Sequence, residues 1–146
     1  MYGTQSTRSR HRQRILCVDA NAFTLFVNTT ILRNQGYEVF ACSNPLRAAL
    51  IARSEDLDLA ILDYDMPKLN GAELAAFCKA ANPEIKVILF SGSPAIPTRD
   101  LAFVDDSIEK SEGIDVLLAA IEALLFADKI RSLPPTNCNN YQHMNQ

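Results

Sequence analysis

The stretch LAILDYDMPKLNG, residues 59–71, decides the fold of this chain. It opens with a continuous apolar run, which indicates a β-strand covered on both faces, and that strand ends at Asp63. Asn70 and Glu73, three positions apart, resemble a capping box, so a helix is predicted to begin directly after the loop. A buried strand followed at once by a helix is the repeating unit of α/β proteins.

The same alternation of apolar runs and helical patterns continues on both sides of this stretch. Because the runs are continuous, the sheet should be parallel, with helices on both faces and right-handed crossovers. We therefore predict an α/β fold, a five-stranded parallel doubly wound sheet of order 2-1-3-4-5 flanked by five helices, as in flavodoxin-like proteins. The predicted strands lie at residues 15–18, 37–42, 57–63, 85–90 and 106–109.

Two of the predicted helices carry specific expectations. The first, at residues 23–35, has apolar residues spaced as on one buried helix face. The fourth, between residues 94 and 103, should be short or irregular because Pro94 and Pro97 fall within it. The predicted face of the first helix consists of Phe23, Phe26, Val27, Thr30 and Ile31.

Charge and composition divide the chain into a central domain and two tails. Four of the 14 basic residues, and none of the 17 acidic ones, fall in residues 1–14, so the remainder has a formal charge of −7. We predict a flexible Arg-rich tail at 1–14, one domain at 15–129 and a flexible tail at 130–146. An acidic core without clustered Lys or Arg excludes nucleic acid as the partner of that core.

Cysteine usage and hydropathy favour a cytoplasmic protein. The four cysteines show no C-x-x-C spacing, so buried thiols in a reducing compartment are expected, rather than disulfides or a metal site. No apolar stretch follows the basic N-terminus, and no apolar run approaches the length of a membrane span. We therefore expect neither a secretory signal nor a membrane association. The cysteines are Cys17, Cys42, Cys78 and Cys138.

Four of the predicted strands end in a polar side chain. Asp19 ends the first strand and Asp63 the third, while Ser91 and Lys110 end the fourth and fifth. The carboxyl ends of parallel strands meet at one edge of a sheet, and with this strand order the functional crevice lies beyond strands one and three. A single residue of this kind is an ordinary turn former, but four at one edge indicate a functional site.

These residue types suit phosphoryl transfer to a carboxylate. Asp63 can attack a phosphorus atom and form an acyl phosphate, which adds negative charge beside Asp19. Lys110 can supply one compensating positive charge, and Mg²⁺ held by carboxylates and phosphate oxygens can supply the rest. The hydroxyl of Ser91 can donate to a phosphoryl oxygen, and its movement would make a two-state switch.

The chain resembles the receiver domain of two-component response regulators over residues 15 to 126. The most specific part of the match is Asp-x-x-Met-Pro at residues 63–67, followed by Asn70 and Gly71. The resemblance is carried by ILCVD (15–19), LAILDYDMPKLNG (59–71), VILFSG (87–92) and IEK (108–110).

The resemblance implies a role for each site residue. It implies that Asp63 is the phosphorylation site, that Asp19 belongs to the acidic pocket for Mg²⁺, and that the backbone carbonyl of Asp65 is a further metal ligand. Ser91 and Lys110 then take the switch and lysine positions of the family. We expect a stand-alone signalling phosphoprotein rather than an enzyme.

The resemblance also implies partners. The phosphodonor is expected to be a histidine kinase or a phosphotransfer protein, docking on the helix at 23–35 and on the loop before the fifth helix. Phe23 or Leu25 could contact it, although packing in the core is the alternative for most of that helix. The output protein is not identified by the sequence and should recognise the face built by the last two helices and the fifth strand.

Position 20 departs from the family pattern, in which the first strand normally ends in two acids. Here the second is Ala20, so the affinity for Mg²⁺ should be lower. The carboxylate of Asp65 could compensate, or Asp65 could be only a solvated loop residue. Ser107 stands where the family often has Tyr or Phe as a rotamer switch, so signal output should differ from the common form.

Two other functions remain open. Ala20 and Ser107 favour a pseudo-receiver, a protein-binding module that acts without phosphorylation, whereas retention of the acceptor, the hydroxyl and the lysine opposes it. The pattern Asp63-x-Asp65 resembles the D-x-D motif of haloacid-dehalogenase-type phosphatases. In those enzymes the motif belongs on the first strand, and Thr or Val is expected where Met66 stands, so this alternative is remote.

Overall fold

The computed structural model describes residues 12–135 and contains a five-stranded sheet in the order β2-β1-β3-β4-β5. All neighbouring strands pair in parallel. The predicted α/β fold and strand order are therefore confirmed. The strands are β1 (Arg14–Val18), β2 (Glu38–Cys42), β3 (Leu59–Leu62), β4 (Lys86–Ser91) and β5 (Asp106–Glu109).

Helices cover both faces of the sheet. Successive strand residues point to opposite faces, so β1 gives Leu16 to one core and Ile15 and Cys17 to the other. The first core packs against α2 and α3, and the second packs against α1 and α4. Burial on both faces is the reason that the strands are continuous apolar runs. The α-helices of the described chain are α1 (Ala22–Asn34), α2 (Pro45–Ser54), α3 (Gly71–Ala81) and α4 (Ile114–Ser132).

An asparagine side chain caps the N-terminus of each of the first three helices. Asn21 caps α1, Asn44 caps α2 and Asn70 caps α3. At α3 the predicted capping box is confirmed: Asn70 Oδ1 accepts from Glu73 N, and Glu73 Oε1 accepts from Asn70 N, both at 2.9 Å. This reciprocal pair satisfies two backbone donors and fixes the start of α3 at Gly71, nine positions after β3 ends at Leu62.

The expectation of five helices is wrong, because the connection between β4 and β5 holds only a 3₁₀ turn, Thr98–Leu101, within the described residues. Pro94 and Pro97 lie in this connection, and each removes a backbone donor and clashes with a preceding helical turn. Few residues then remain before β5 for a full helix. The core is covered here by partly buried side chains of the connection, Ile96, Leu101 and Val104.

α1 turns a different face to the core from the one that its sequence spacing predicts. Phe23 and Phe26 are 75% and 68% exposed, whereas Leu32 is fully buried and Leu25 packs against the core. Thr29 is buried as well, and its hydroxyl is satisfied there because it donates to the carbonyl oxygen of Leu25 at 2.7 Å. The buried face of α1 is the one that contacts β2 and β1. The prediction that Phe23 and Phe26 lie on the buried face is therefore wrong.

The first strand and the last helix reach into the segments predicted as tails. β1 begins at Arg14, one residue before the predicted boundary, and α4 ends at Ser132, three residues after it. Arg14 belongs to the fold because its backbone N–H donates to Asp58 Oδ2 at 2.8 Å and its guanidinium lies 3.1 Å from Glu55. The predicted tails otherwise lie largely outside the described residues.

The described cysteines are buried thiols, as predicted. Cys17, Cys42 and Cys78 form no disulfide, and burial raises the pKa of Cys17 and Cys78 to about 12. Cys138 lies outside the described residues. Within residues 12–135, no helix combines the length and apolar character needed to cross a membrane.

Candidate functional site

The predicted site residues lie together at the carboxyl edge of the sheet. Asp19 follows β1, Asp63 follows β3 and Ser91 ends β4, and all three are buried. Lys110 directly follows β5 and is half-buried. β1 and β3 are neighbours in the sheet, and later strands are added on opposite sides of this pair. The two carboxylates therefore lie at the point where the strand order changes direction.

Lys110 joins the two carboxylates. Its Nζ lies 2.7 Å from Asp19 Oδ2 and 3.6 Å from Asp63 Oδ1. The other oxygen of Asp19 accepts a hydrogen bond from Asn21 N at 2.8 Å. These three charged groups carry a net charge of minus one, so the cluster attracts a cation, and a phosphoryl group bound here would need further positive charge.

The surroundings of Asp63 raise the pKa of its carboxyl above the ordinary value. The main cause is burial, which disfavours the charged form, and the negative charge of Asp19 adds to it. Lys110 and the backbone N–H of Asp65, 3.3 Å from Asp63 Oδ1, act in the opposite direction. Lys110 therefore helps to keep Asp63 ionised, which is the state that a nucleophile needs.

Ser91 is held by a short turn at the end of β4. Its Oγ accepts a hydrogen bond from Ser93 N at 3.0 Å. A hydroxyl that accepts this hydrogen bond can still donate its own proton to another oxygen. Ser91 therefore has the chemistry that the predicted switch position requires.

The carboxylate of Asp65 is engaged by the β4–β5 connection, because Ser93 Oγ donates to Asp65 Oδ2 at 2.5 Å. Among residues 12–135, no three acidic, histidine or cysteine side chains are grouped to hold a metal ion. The pocket thus offers two carboxylates, Asp19 and Asp63. That set fits Mg²⁺, which usually keeps several waters and binds one or two carboxylates together with phosphate oxygens.

A contact that the sequence did not predict joins the loop after Asp63 to the 3₁₀ turn. Tyr64 Oη donates to Asp100 Oδ2 at 2.5 Å. This hydrogen bond is the main cause that raises the pKa of Tyr64 above its ordinary value. No local pattern could reveal it, since the two residues are 36 positions apart.

A close approach at the start of α3 was not predicted from the sequence either. A Cβ placed on Gly71 would lie only 2.5 Å from the carbonyl oxygen of Asp63. Glycine therefore allows α3 to begin directly against the backbone of Asp63. Gly71 was visible in the motif, but only the tertiary structure shows which atom it approaches.

Comparisons of the sequence with known proteins agree with this geometry. A family model described as the response regulator receiver domain matches residues 15–122. The CAI-1 autoinducer sensor kinase/phosphatase CqsS of Vibrio cholerae is 30% identical over 122 residues, which are 80% of this chain and 18% of CqsS. The cell cycle transcriptional regulator CtrA of Caulobacter vibrioides is 24% identical over 80% of this chain and 52% of CtrA. The chain thus spans about half, or less, of the length of these relatives.

Solved structures share the fold. The response regulator protein TrrA of Thermotoga maritima, in complex with Mg(2+)-BeF, has a TM-score of 0.71 and 27% identity, covering 77% of this chain and 98% of that chain. TrrA in complex with the histidine kinase ThkA gives a TM-score of 0.70 and 29% identity over the same shares of the two chains.

Proposed function

Because the chain belongs to the response regulator receiver domain family, we propose that it is a phosphorylation switch whose phosphoacceptor is Asp63. The phosphodonor is a histidine kinase or a phosphotransfer protein, and the exchange takes place in the cytoplasm. One observation carries this proposal: the Lys110 ammonium is shared by the buried carboxylates of Asp19 and Asp63 at the edge of the sheet.

Asp63 acts as the nucleophile. Its carboxylate attacks the phosphorus of a phosphohistidine, the P–N bond breaks, the imidazole leaves, and Asp63 becomes an acyl phosphate. Lys110, 3.6 Å from Asp63 in the unmodified protein, neutralises part of the added charge. The hydroxyl of Ser91 donates to a phosphoryl oxygen, and the residues that follow it shift with it.

Mg²⁺ is held in this proposal by the carboxylates of Asp19 and Asp63 and by the backbone carbonyl of Asp65. When bound, the ion neutralises phosphoryl oxygens as the transition state forms. The TrrA complex with Mg(2+)-BeF supports a divalent site in this family. Since Ala20 contributes no carboxylate, we expect weaker Mg²⁺ binding than at a site with an acid there.

The phosphodonor docks on α1. Phe23 and Phe26 are exposed in the first half of this helix, which begins three residues after Asp19. Exposed aromatic side chains beside a reactive group suit a protein interface. The structure of TrrA with the histidine kinase ThkA supports such an interaction for a relative.

A pseudo-receiver is the second candidate function. Two observations favour it: Ala20 supplies no carboxylate, and the carboxylate of Asp65 is already hydrogen-bonded to Ser93. A protein of this kind would bind its partner through the same fold without being phosphorylated.

Intact-mass spectrometry of the full chain after incubation with acetyl phosphate, with and without Mg²⁺, tests the proposal. We expect one phosphoryl adduct that depends on Mg²⁺ and is absent from Asp63→Asn. Asp106→Asn, which changes an exposed acid on β5, is the matched control and should be labelled like the wild type. A folded wild-type protein that gains no adduct, either here or from a cognate kinase, would establish the pseudo-receiver instead. Release of p-nitrophenol from p-nitrophenyl phosphate would point to a phosphatase.

A further inference from the structure

Two recesses open beside Gln13, at the edge of the sheet opposite the phosphorylation site. One is a groove of about 560 Å³ along α4, and the other is a cavity of about 370 Å³ beside it. Both are lined by Gln13, Leu125 and Lys129, so the two recesses adjoin. Their joint surface is named the amino-edge surface, because it lies where the strands begin. The residues that determine its chemistry are Tyr37, Asp58, Glu84, Glu122, Phe126 and Asp128.

The amino-edge surface is negatively charged. Four acidic and two basic side chains line it, which leaves a formal charge of −2. Asp128 already has cationic neighbours, since Arg131 Nη2 lies 3.0 Å and Lys86 Nζ 3.7 Å from its Oδ1. Glu84 and Glu122 are exposed, and neither pairs with a lysine or an arginine in the part of the chain that the structure describes. These two acids therefore remain available to a cationic ligand.

Aromatic rings lie on both sides of Glu122. Tyr37 and Phe126 line the same groove, and Phe126 follows Glu122 by four positions on α4. Burial first, and the charge of Glu122 second, raise the pKa of the Tyr37 hydroxyl, so Glu122 lies close to Tyr37 as well. A guanidinium pairs with carboxylates and stacks on aromatic rings, whereas an ammonium is a compact and strongly hydrated charge. This combination therefore favours arginine as the cationic group.

The chain itself carries arginines directly before this surface. Arg8, Arg10 and Arg12 alternate with other residues just before Gln13, and residues 1–14 contain no acid. Arg12 is exposed, whereas Arg8 and Arg10 lie outside the described residues. Since Gln13 lines both recesses, the arginine-rich segment is attached at the surface that its charge complements.

The length and attachment of the segment favour this surface over other acids. Glu38 and Glu55 also lie near the start of β1, but they already pair with Arg14, at 3.4 and 3.1 Å. The five positions from the first of the three arginines to Gln13 span up to about 17 Å of extended chain, whereas residues 122–128 of α4 are about 9 Å long. A segment tethered this closely has a high effective concentration at the surface, so weak ion pairs suffice to hold it.

We propose that residues 8–12 dock on the amino-edge surface of their own domain. Guanidinium groups of the segment pair with Glu84 and Glu122. The apolar stems of the arginines lie against the rings of Tyr37 and Phe126. The docked segment covers the groove side of α4, so a protein that binds there has to displace it.

Paramagnetic relaxation in the full chain tests the docking. A nitroxide is attached at Ser9→Cys in a Cys138→Ser background, because the other three cysteines are buried. The amide signals of Tyr37 and of residues 119–129 should lose intensity relative to the reduced label. Residues 43–50, at the opposite edge and on the other face of the sheet, should keep theirs. Loss centred on residues 43–50, or no loss at either place, would overturn the proposal.

Substitution of the arginines tests the chemistry of the contact. Replacing all three arginines of the segment by glutamine should restore the lost intensity, as should about 0.5 M NaCl, which screens exposed charges. Replacing three exposed arginines elsewhere removes the same charge and should leave the signals unchanged. These control changes are Arg47→Gln, Arg53→Gln and Arg99→Gln. Equal recovery of intensity with the controls would mean that net charge alone acts, which contradicts a specific contact.

Substitution of the acids tests the surface itself. Glu84→Gln combined with Glu122→Gln should release the segment and restore the intensity at residues 119–129. Asp106→Asn combined with Asp115→Asn removes two exposed acids elsewhere and should leave the segment docked. A segment that stays docked without Glu84 and Glu122 would show that these acids do not hold it.

A mixing experiment separates docking within one chain from docking between chains. Isotope-labelled protein without the nitroxide is mixed with nitroxide-labelled protein at natural isotope abundance. We expect no loss of intensity in this mixture, and a loss as large as in the single sample would mean that the segment binds a second copy instead. Asp63→Asn should dock as the wild type does, so failure of the proposed function would leave this result unchanged.

Discussion

At the scale of single residues, the buried carboxylate of Asp63 is the feature on which the proposed function depends. Burial and the charge of Asp19 raise its pKa, and Lys110 opposes them. A buried carboxylate whose pKa is raised by folding lowers stability at neutral pH, which is a common property of functional sites. The consequence can be measured as a dependence of stability on pH.

Asp63→Asn should raise the melting temperature at neutral pH. Folding raises the pKa of Asp63, so the folded state binds its proton more tightly than the unfolded chain does. The contribution of Asp63 to stability is therefore lost as the pH rises from the ordinary pKa of an aspartate through the raised pKa of Asp63. The gain from Asp63→Asn should be largest near pH 7 and shrink towards about pH 4. Thermal unfolding of both proteins measures it, and Asp65→Asn, at an exposed position, should show no such gain.

Gly71→Ala should destabilise the protein by about 1–3 kcal/mol, because the added Cβ would meet the carbonyl oxygen of Asp63 at 2.5 Å. Alanine is the better helix former, so a stabilised variant would show that α3 shifts freely away from Asp63. Urea denaturation measures the change. Gly92→Ala is the matched control and should be nearly neutral, because no atom lies within 4 Å of its added Cβ.

At the scale of elements, the short connection between β4 and β5 is the distinctive part of the fold. It lacks a full helix, and it is held to the loop after Asp63 by two hydrogen bonds, Ser93 to Asp65 and Tyr64 to Asp100. In the proposed function, a phosphoryl group on Asp63 acts on this connection through Ser91. The two hydrogen bonds would then restrain the movement of the connection.

Tyr64→Phe and Asp100→Ala should each speed hydrogen exchange in residues 94–105, because each removes the same hydrogen bond. Combining the two changes should add little to either alone. Hydrogen exchange followed by mass spectrometry measures the effect, with α2 as the internal control that should not change. Asp100→Ala should also lower the pKa of Tyr64 towards its ordinary value, which spectrophotometric titration measures. Unchanged exchange would show that the packing of Ile96, Leu101 and Val104 alone holds the connection.

At the scale of the whole molecule, the domain exposes aromatic side chains on the helix that follows Asp19. Phe23 and Phe26 are both largely exposed, and α1 begins three residues after Asp19. This surface is proposed to receive the phosphodonor. Changes in it should therefore slow docking and leave the chemistry of the site intact.

Phe23→Ser and Phe26→Ser should slow phosphotransfer from a cognate kinase and leave labelling by acetyl phosphate unchanged. Both side chains are exposed, so stability should change by less than about 0.5 kcal/mol. Phe77→Ser, at an exposed phenylalanine of α3, is the control and should transfer at the wild-type rate. Equal slowing with the kinase and with acetyl phosphate would mean that the site itself had been disturbed.

The sequence by itself determined the sheet and the residues at its functional edge. Strands buried on both faces must be continuous apolar runs, so β1, β3 and β4 were visible as such. Parallel strands place their carboxyl ends together, so Asp19, Asp63 and Lys110 could be expected to meet before any distance was known. The start of α3 was equally visible, because a capping box is a local pattern of hydrogen bonds.

Only the tertiary structure decided which face of α1 is buried, that no full helix joins β4 to β5, and what lies against Gly71. Sequence spacing gives the period of a helix, but the face that packs inward depends on side chains of strands far away in the chain. Phe23 and Phe26 have the spacing of a buried face and are exposed because Leu25 and Leu32 make the contact with the core. The hydrogen bond from Ser93 to Asp65 likewise joins residues 28 positions apart, and such contacts form only once packing has brought the loops together.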